Sequence, residues 1–179
     1  LHLNANCLEN EIVIAKGTYF ATEFADLPIQ GKISFRGEQP EFTFSFSPEV
    51  DISKWLARAR ESGMEIPASL QLDGVCRGNL TTHGTAKRLD VAGSFDLTDM
   101  GFGWKRIQIK ERGVPTVFDI EMYVSESEIA LEQLMLEGTL GRVAVSGKLR
   151  EIQTEPKVDF VVTSRINLAE ALRLAKNWN

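Results

Sequence analysis

The side chains that most often do chemistry in proteins are sparse in this sequence of 179 residues. Its two histidines, His2 and His83, are too few and too isolated for a metal site or a serine–histidine–aspartate triad, and we expect both in solvated loops. The two cysteines, Cys7 and Cys76, show no metal-binding or redox spacing. They are either buried thiols that pack as small apolar side chains or a disulfide, which requires an oxidising compartment.

Carboxylates are numerous, and a suitably spaced pair of them can hydrolyse a glycosidic bond. The carboxylates in strand-like segments, however, fall on the polar positions of those segments, as on a surface that faces water. They are Asp90, Asp96, Asp119 and Glu121. No glycine-rich turn enters a helix in the manner of a phosphate-binding loop. We therefore predict no catalytic residues, no metal, no cofactor and no enzymatic activity.

Composition and charge exclude other classes of function. Hydrophobic residues make up 43% and charged residues 25% of the chain, as in an ordinary soluble globular protein. The net charge of −5 disfavours binding to nucleic acid and to anionic membrane surfaces. No apolar run approaches the roughly 18 residues of a membrane span, and no signal peptide opens the chain. A strand-like pattern begins at once after Leu1, so we expect a fragment of a longer protein.

Alternation of apolar and polar residues dominates the chain and predicts about 12 short strands. The connections are too short for parallel crossovers, so the sheet should be largely antiparallel. The alternation leaves open whether the apolar sides of the strands meet in a closed sandwich or line an open groove. The apolar positions predicted to share one surface are Phe42, Phe44, Phe46, Leu70, Leu72, Leu89, Val91, Phe95, Leu97, Phe118, Ile120, Met122, Val143, Val145, Phe160 and Val162.

A strand followed by a short amphipathic helix occurs twice. In residues 41–59, Asp51 can cap a helix, and in residues 157–175 Asn167 can do the same. A shift of 116 positions aligns residues 31–59 with 147–175 and gives six identities in 29 positions. We predict a single domain over residues 1–179 that consists of repeating units, approximately 1–62 and 63–179. The apolar stripes of the two helices are Ile52, Trp55, Leu56 and Ala59, and Leu168, Ala171, Leu172 and Ala175.

Five short pieces follow one another along the chain: Asp51–Leu56, Pro67–Gly74, Leu89–Met100, Val145–Leu149 and Asn167–Leu172. They comprise a capped helix, a P-x-x-L-x-L-x-G strand, an alternating strand that ends in L-T-D-M, a V-S-G-K-L strand and a second capped helix. This order resembles the C-terminal region of AsmA-like proteins, relatives of TamB and YhdP. The resemblance implies a mainly β fold, with a curved sheet forming a groove or half-barrel and two short helices.

The same resemblance implies a function in the envelope of Gram-negative bacteria. We expect a periplasmic segment of a protein held in the inner membrane by an anchor outside this sequence. Its concave apolar surface would bind the acyl chains of phospholipid or other lipid and contribute to lipid transport and outer-membrane biogenesis. Neighbouring segments of the same parent chain would cover its edge strands. The alternative is a structural or protein-interaction module for outer-membrane assembly, with a sealed β-sandwich core.

Overall fold

A computed structural model of the chain describes residues 2–105, 107–151 and 156–176, with the backbone alone for residues 174–176. In these ranges the chain forms thirteen strands and two helices. The strands are β1 (Ala5–Leu8), β2 (Glu11–Ala21), β3 (Ala25–Ser34), β4 (Glu41–Phe46), β5 (Glu49–Asp51), β6 (Leu70–Thr85), β7 (Arg88–Asp96), β8 (Met100–Trp104), β9 (Ile107–Lys110), β10 (Thr116–Ser125), β11 (Glu128–Gly138), β12 (Gly141–Arg150) and β13 (Lys157–Ile166). The helices are α1 (Ile52–Glu61) and α2 (Leu168–Lys176).

All thirteen strands belong to one antiparallel sheet, which confirms the predicted fold class of a largely antiparallel β protein with two helices. Ten strands run side by side in the order β1-β2-β3-β4-β6-β7-β10-β11-β12-β13. Strand β5 pairs with β3 and β6, while β8 pairs with β6 and β9. Most neighbours in the sheet are also consecutive in the chain, because short turns connect antiparallel strands. The strands β1 and β13 are left at the two ends of this path.

Both predicted helix caps are confirmed. The Asp51 carboxylate accepts a hydrogen bond from the Lys54 backbone N–H at 3.1 Å, which lowers the pKa of Asp51. The Asn167 side chain accepts from the backbone N–H of Ala169 at 3.2 Å. Helix α1 buries Leu56 and packs against β5 and β6. The side chain of Ala175, predicted to line α2, lies outside the described residues. The internal repeat and its two units stay predictions.

Strand β6 differs from expectation. The sequence predicts a break near Arg77 and Gly78 and a turn at Gly84, whereas residues 70–85 form one continuous strand. Gly74, with φ of +93°, lets the strand change partners, since a left-handed backbone conformation is accessible to glycine. Residues 70–74 pair with β8, and residues 77–84 pair with β7. The predicted loop position of His83 is therefore wrong, because His83 is an exposed residue of β6.

Very little of the molecule is sealed from water. The accessible surface is 12102 Å², whereas a compact monomer of this mass exposes about 8,700 Å². The buried apolar side chains of the described residues are Leu56, Ala59 and Ala130, and no large side chain among them is fully buried. Most apolar side chains of the sheet are half-buried instead. The sheet therefore keeps a large apolar surface within reach of solvent.

Candidate functional site

The register of the sheet gathers apolar side chains on one of its sides. Residues that lie directly opposite each other in neighbouring antiparallel strands project to the same side. One such row, from β4 to β13, consists of Phe46, Leu80, Gly93, Ile120, Leu134, Val145 and Val162. The next row consists of Phe44, Thr82, Val91, Met122, Leu131, Gly147 and Phe160. We call this side of the sheet the apolar face.

Thirteen of the sixteen predicted surface residues lie on the apolar face. They are Phe42, Phe44, Phe46, Leu89, Val91, Phe95, Phe118, Ile120, Met122, Val143, Val145, Phe160 and Val162. Aromatic rings cluster on it, since Phe42 and Phe44 stack with centroids 6.1 Å apart and Phe95 lies 5.9 Å from Phe118. Such contacts between rings stabilise the sheet beyond the area that they bury.

The other three predicted residues are placed differently. Leu70 and Leu72 lie opposite Trp104 and Phe102 of β8 and, with Leu56 of α1, line a shallow depression between the helix and the sheet. Leu97 follows the last residue of β7, and its backbone N–H donates to Thr116. These three side chains are half-buried, but they are not part of the registered rows.

Exposure of the apolar face increases toward the last strand. Phe42, Phe95 and Ile120 are half-buried. By contrast, 47% of Phe160 and 65% of Val162 are exposed. The difference arises because interior strands have a neighbour on each side, whereas β13 has β12 alone. The apolar face is thus open over its whole width, and most open at its two end strands, β1 and β13, whose residues are all exposed.

Two irregularities in strand pairing keep the apolar residues in phase. In β11, residues 132 and 133 together oppose a single residue of β12, so that Leu131 and Leu134 both lie on the apolar face. In β2, residues 15–17 together oppose a single residue of β3, and because this adds two residues, Ile14 and Thr18 both remain on the apolar face. Several residues of the face were not among the predicted site residues. They include Ile12, Ile14, Ile29, Ile33, Leu131, Leu134 and Leu136.

The opposite side of the sheet is polar and held together by charge. Tyr123 donates a hydrogen bond to the Glu128 carboxylate, which also accepts from Arg150 at 2.9 Å and from Lys148 at 3.3 Å. These contacts, above all the one from Tyr123, lower the pKa of Glu128. Arg88 lies over the Tyr123 ring at 4.2 Å, a cation–π contact. We call these residues the Tyr123 cluster.

The residues with the most reactive chemistry are dispersed over the sheet. Cys7 and Cys76 carry free thiols, so the predicted alternative of a disulfide is wrong; Cys7 is exposed, so the alternative of two buried thiols is wrong for Cys7. Burial raises the pKa of the half-buried Cys76.

The four carboxylates predicted to face water lie on the polar side of β7 and β10, each opposite another residue of the polar side. Within the described ranges, no group of three or more histidine, cysteine or acidic side chains could hold a metal ion.

Neither described helix has the length and hydropathy that a membrane-spanning helix needs. Comparison of the chain with protein-family models, with curated proteins and with solved structures finds no match. The resemblance to AsmA-like proteins stays a prediction.

Proposed function

We propose that this chain is a non-enzymatic lipid-binding segment whose apolar face holds acyl chains. The observation that carries the proposal is the apolar face itself, which spans ten registered strands and leaves its aromatic and aliphatic side chains half-buried or exposed. Contiguous apolar area of this extent on a folded chain marks a surface for an apolar partner.

The physical driving force for such binding is the removal of hydrocarbon from water. Each methylene group buried contributes about 0.8 kcal/mol, so even part of an acyl chain gains several kcal/mol on this face. The apolar face presents no charged side chain that would lose contact with water when an acyl chain binds, because the charged residues of the sheet lie on its polar side. Headgroups would stay in water while the tails slide along the rows of Phe44 and Phe46. We propose further that the sheet curves around the bound tails as a groove or half-barrel.

The resemblance to AsmA-like proteins supplies the setting of this proposal. We infer a periplasmic segment of an envelope protein, anchored in the inner membrane by a part of the parent chain outside this sequence. There it would contribute to lipid transport and outer-membrane biogenesis. The free energy of binding is spread over many weak contacts, which suits a surface along which lipids move rather than one that traps them.

A structural or protein-interaction module for outer-membrane assembly is the second candidate. What favours it is the exposure of β13, where Val158 and Val162 are 64% and 65% exposed and could be covered by protein instead of lipid. A sealed sandwich core has less support, since the buried apolar side chains of the described residues are few.

Native mass spectrometry of the chain purified from a Gram-negative host in the absence of detergent tests the proposal. We expect phospholipid to co-purify and to be released by organic extraction. A fluorescent apolar dye should brighten with the delipidated chain and be displaced by added fatty acid. If no lipid co-purifies and the dye stays dark, the lipid-binding proposal is wrong.

A further inference from the structure

Strand β13 has the features of an edge that pairs with another strand. It is ten residues long, every one of its residues is exposed, and it pairs with β12 alone. It contains neither a proline nor a bulge, two features that commonly prevent association at sheet edges. A long regular edge of this kind is a template for antiparallel addition of a strand.

The hydrogen-bonding groups of this edge can be assigned by residue. The Asn167 N–H donates to the Leu140 carbonyl oxygen, and the β12–β13 register continues without a break through Gly141 and Ile166. Backbone groups of alternate residues in a strand point to opposite sides. The odd-numbered residues of β13 therefore bond to β12, whereas the N–H and C=O groups of the even-numbered residues point toward the open edge.

The charges of β13 show what kind of strand fits there. Lys157 pairs with Glu151, but Asp159 and Arg165 form no ion pair with any other described residue. Within the molecule Arg165 lies opposite Arg142, a like charge that opposes the pairing, whereas Asp159 lies opposite Lys148, whose ammonium pairs with Glu128 at 3.3 Å. Asp159 and Arg165 are placed symmetrically about Val162. A second, antiparallel copy of β13 centred on Val162 would bring each Asp159 opposite the Arg165 of the other copy.

We propose that two copies of this chain associate through β13, in an antiparallel pair related by a twofold axis at Val162. In this register the even-numbered residues of the two copies exchange main-chain hydrogen bonds. Val158 then lies opposite Ile166 of the other copy, so the apolar faces of the two sheets become one surface. Both Asp159–Arg165 pairs lie on the polar side, about 20 Å apart along the strands. This association does not depend on lipid binding.

Sedimentation velocity over a range of concentrations tests the association. We expect a concentration-dependent dimer of the unaltered chain, a dissociation constant raised by about tenfold or more for Arg165→Asp, and recovery in the double variant Asp159→Arg/Arg165→Asp. Ser164→Pro should also weaken the dimer, because it removes an N–H that points to the open edge but none that bonds to β12. Circular dichroism would check that each variant is folded.

Cross-linking tests the register without disturbing the charges. In a background of Cys7→Ser and Cys76→Ser, Val162→Cys places two thiols on Cα atoms about 5.5 Å apart, within the range of disulfides. The matched variant Phe160→Cys places its two thiols about 13 Å apart along the strands. Oxidation should dimerise the first variant and leave the second monomeric.

A chain that stays monomeric at every concentration would overturn the proposal. So would a dimer indifferent to Arg165→Asp and Ser164→Pro, or equal cross-linking of the two cysteine variants. Open-ended assemblies in which Val162→Cys fails to cross-link would also overturn it, since β13 would then pair with a strand other than its own copy.

Discussion

Phe95 of β7 and Phe118 of β10 lie directly opposite each other on the apolar face, with their ring centroids 5.9 Å apart. Gly78 of β6 lies opposite Phe95 on its other side, and Leu136 of β11 lies opposite Phe118. The ring pair therefore spans the centre of the sheet, supported from both sides. The contact between the two rings is determined by the pairing of β7 with β10, because β8 and β9 lie between these two strands in the chain.

Adding a methyl group at Gly78 should destabilise the fold. A β-carbon there would overlap the Phe95 ring, which must turn away and lose its contact with Phe118. We expect Gly78→Ala to lower the free energy of unfolding by about 1–3 kcal/mol, as overpacking usually does. Urea denaturation measures the change. Gly37→Ala is the matched control, since its β-carbon would come no closer than 3.6 Å to a neighbouring atom. Equal loss in the two variants would show that the ring contact is not the cause.

A charge placed on the apolar face should reduce binding of apolar molecules. Ile120 lies between Gly93 and Leu134 in one row of the face. Ile120→Asp would interrupt that row with a hydrated carboxylate, and we expect the affinity for an apolar dye to fall by about tenfold, since burying a charge beside hydrocarbon is costly. Ser146→Asp adds the same charge on the polar side of β12 and should leave dye binding unchanged. Loss of binding in both variants would indicate a general effect of charge instead.

The Tyr123 cluster should make stability depend on pH in the acidic range. Hydrogen bonds from Tyr123, Lys148 and Arg150 lower the pKa of Glu128 in the folded state. The ionised carboxylate therefore adds stability above the pKa that it has in the unfolded chain, and this stability is lost as the pH falls through the lower, folded pKa. In Glu128→Gln the decline of melting temperature between neutral and acidic pH should be shallower. Glu41→Gln, at an exposed position of β4, should follow the unaltered protein.

The cap of α1 should contribute measurably to stability. Asp51→Ala removes the acceptor for the Lys54 N–H, and we expect a loss of about 1 kcal/mol in the free energy of unfolding. Asp51→Asn keeps a side-chain oxygen in that place and should lose only a few tenths. Thermal unfolding followed by circular dichroism separates the two variants. If alanine and asparagine cost the same, the charge of Asp51 matters more than the hydrogen bond.

The sequence predicts which residues of a strand lie on the same side of the sheet, because the alternation of apolar and polar residues involves only neighbouring positions in the chain. Phe42, Phe44 and Phe46 alternate with polar residues, and the structure places all three on one face. The caps Asp51 and Asn167 were predictable for the same reason, since their hydrogen bonds reach only two or three residues along the chain.

What could not be predicted depends on contacts between distant residues. The glycines of β6 suggested turns, but Gly74 instead lets one strand leave β8 and join β7. As a result Leu70 and Leu72 have the right phase but pair with a strand outside the main rows. The irregularity at residues 132 and 133 is invisible in β11 alone, because it exists only relative to β12.

Photo-cross-linking with a fatty acid that carries a photoreactive group on its tail tests lipid binding by the apolar face most directly. After irradiation and proteolysis, we expect labels on residues of the two central rows, such as Val91, Ile120 and Met122, and loss of label in Ile120→Asp. Labels on the polar side, at residues such as Ser94 or Thr163, should be rare. Equal labelling of the two sides, or none at all, would contradict a lipid-binding role for this sheet.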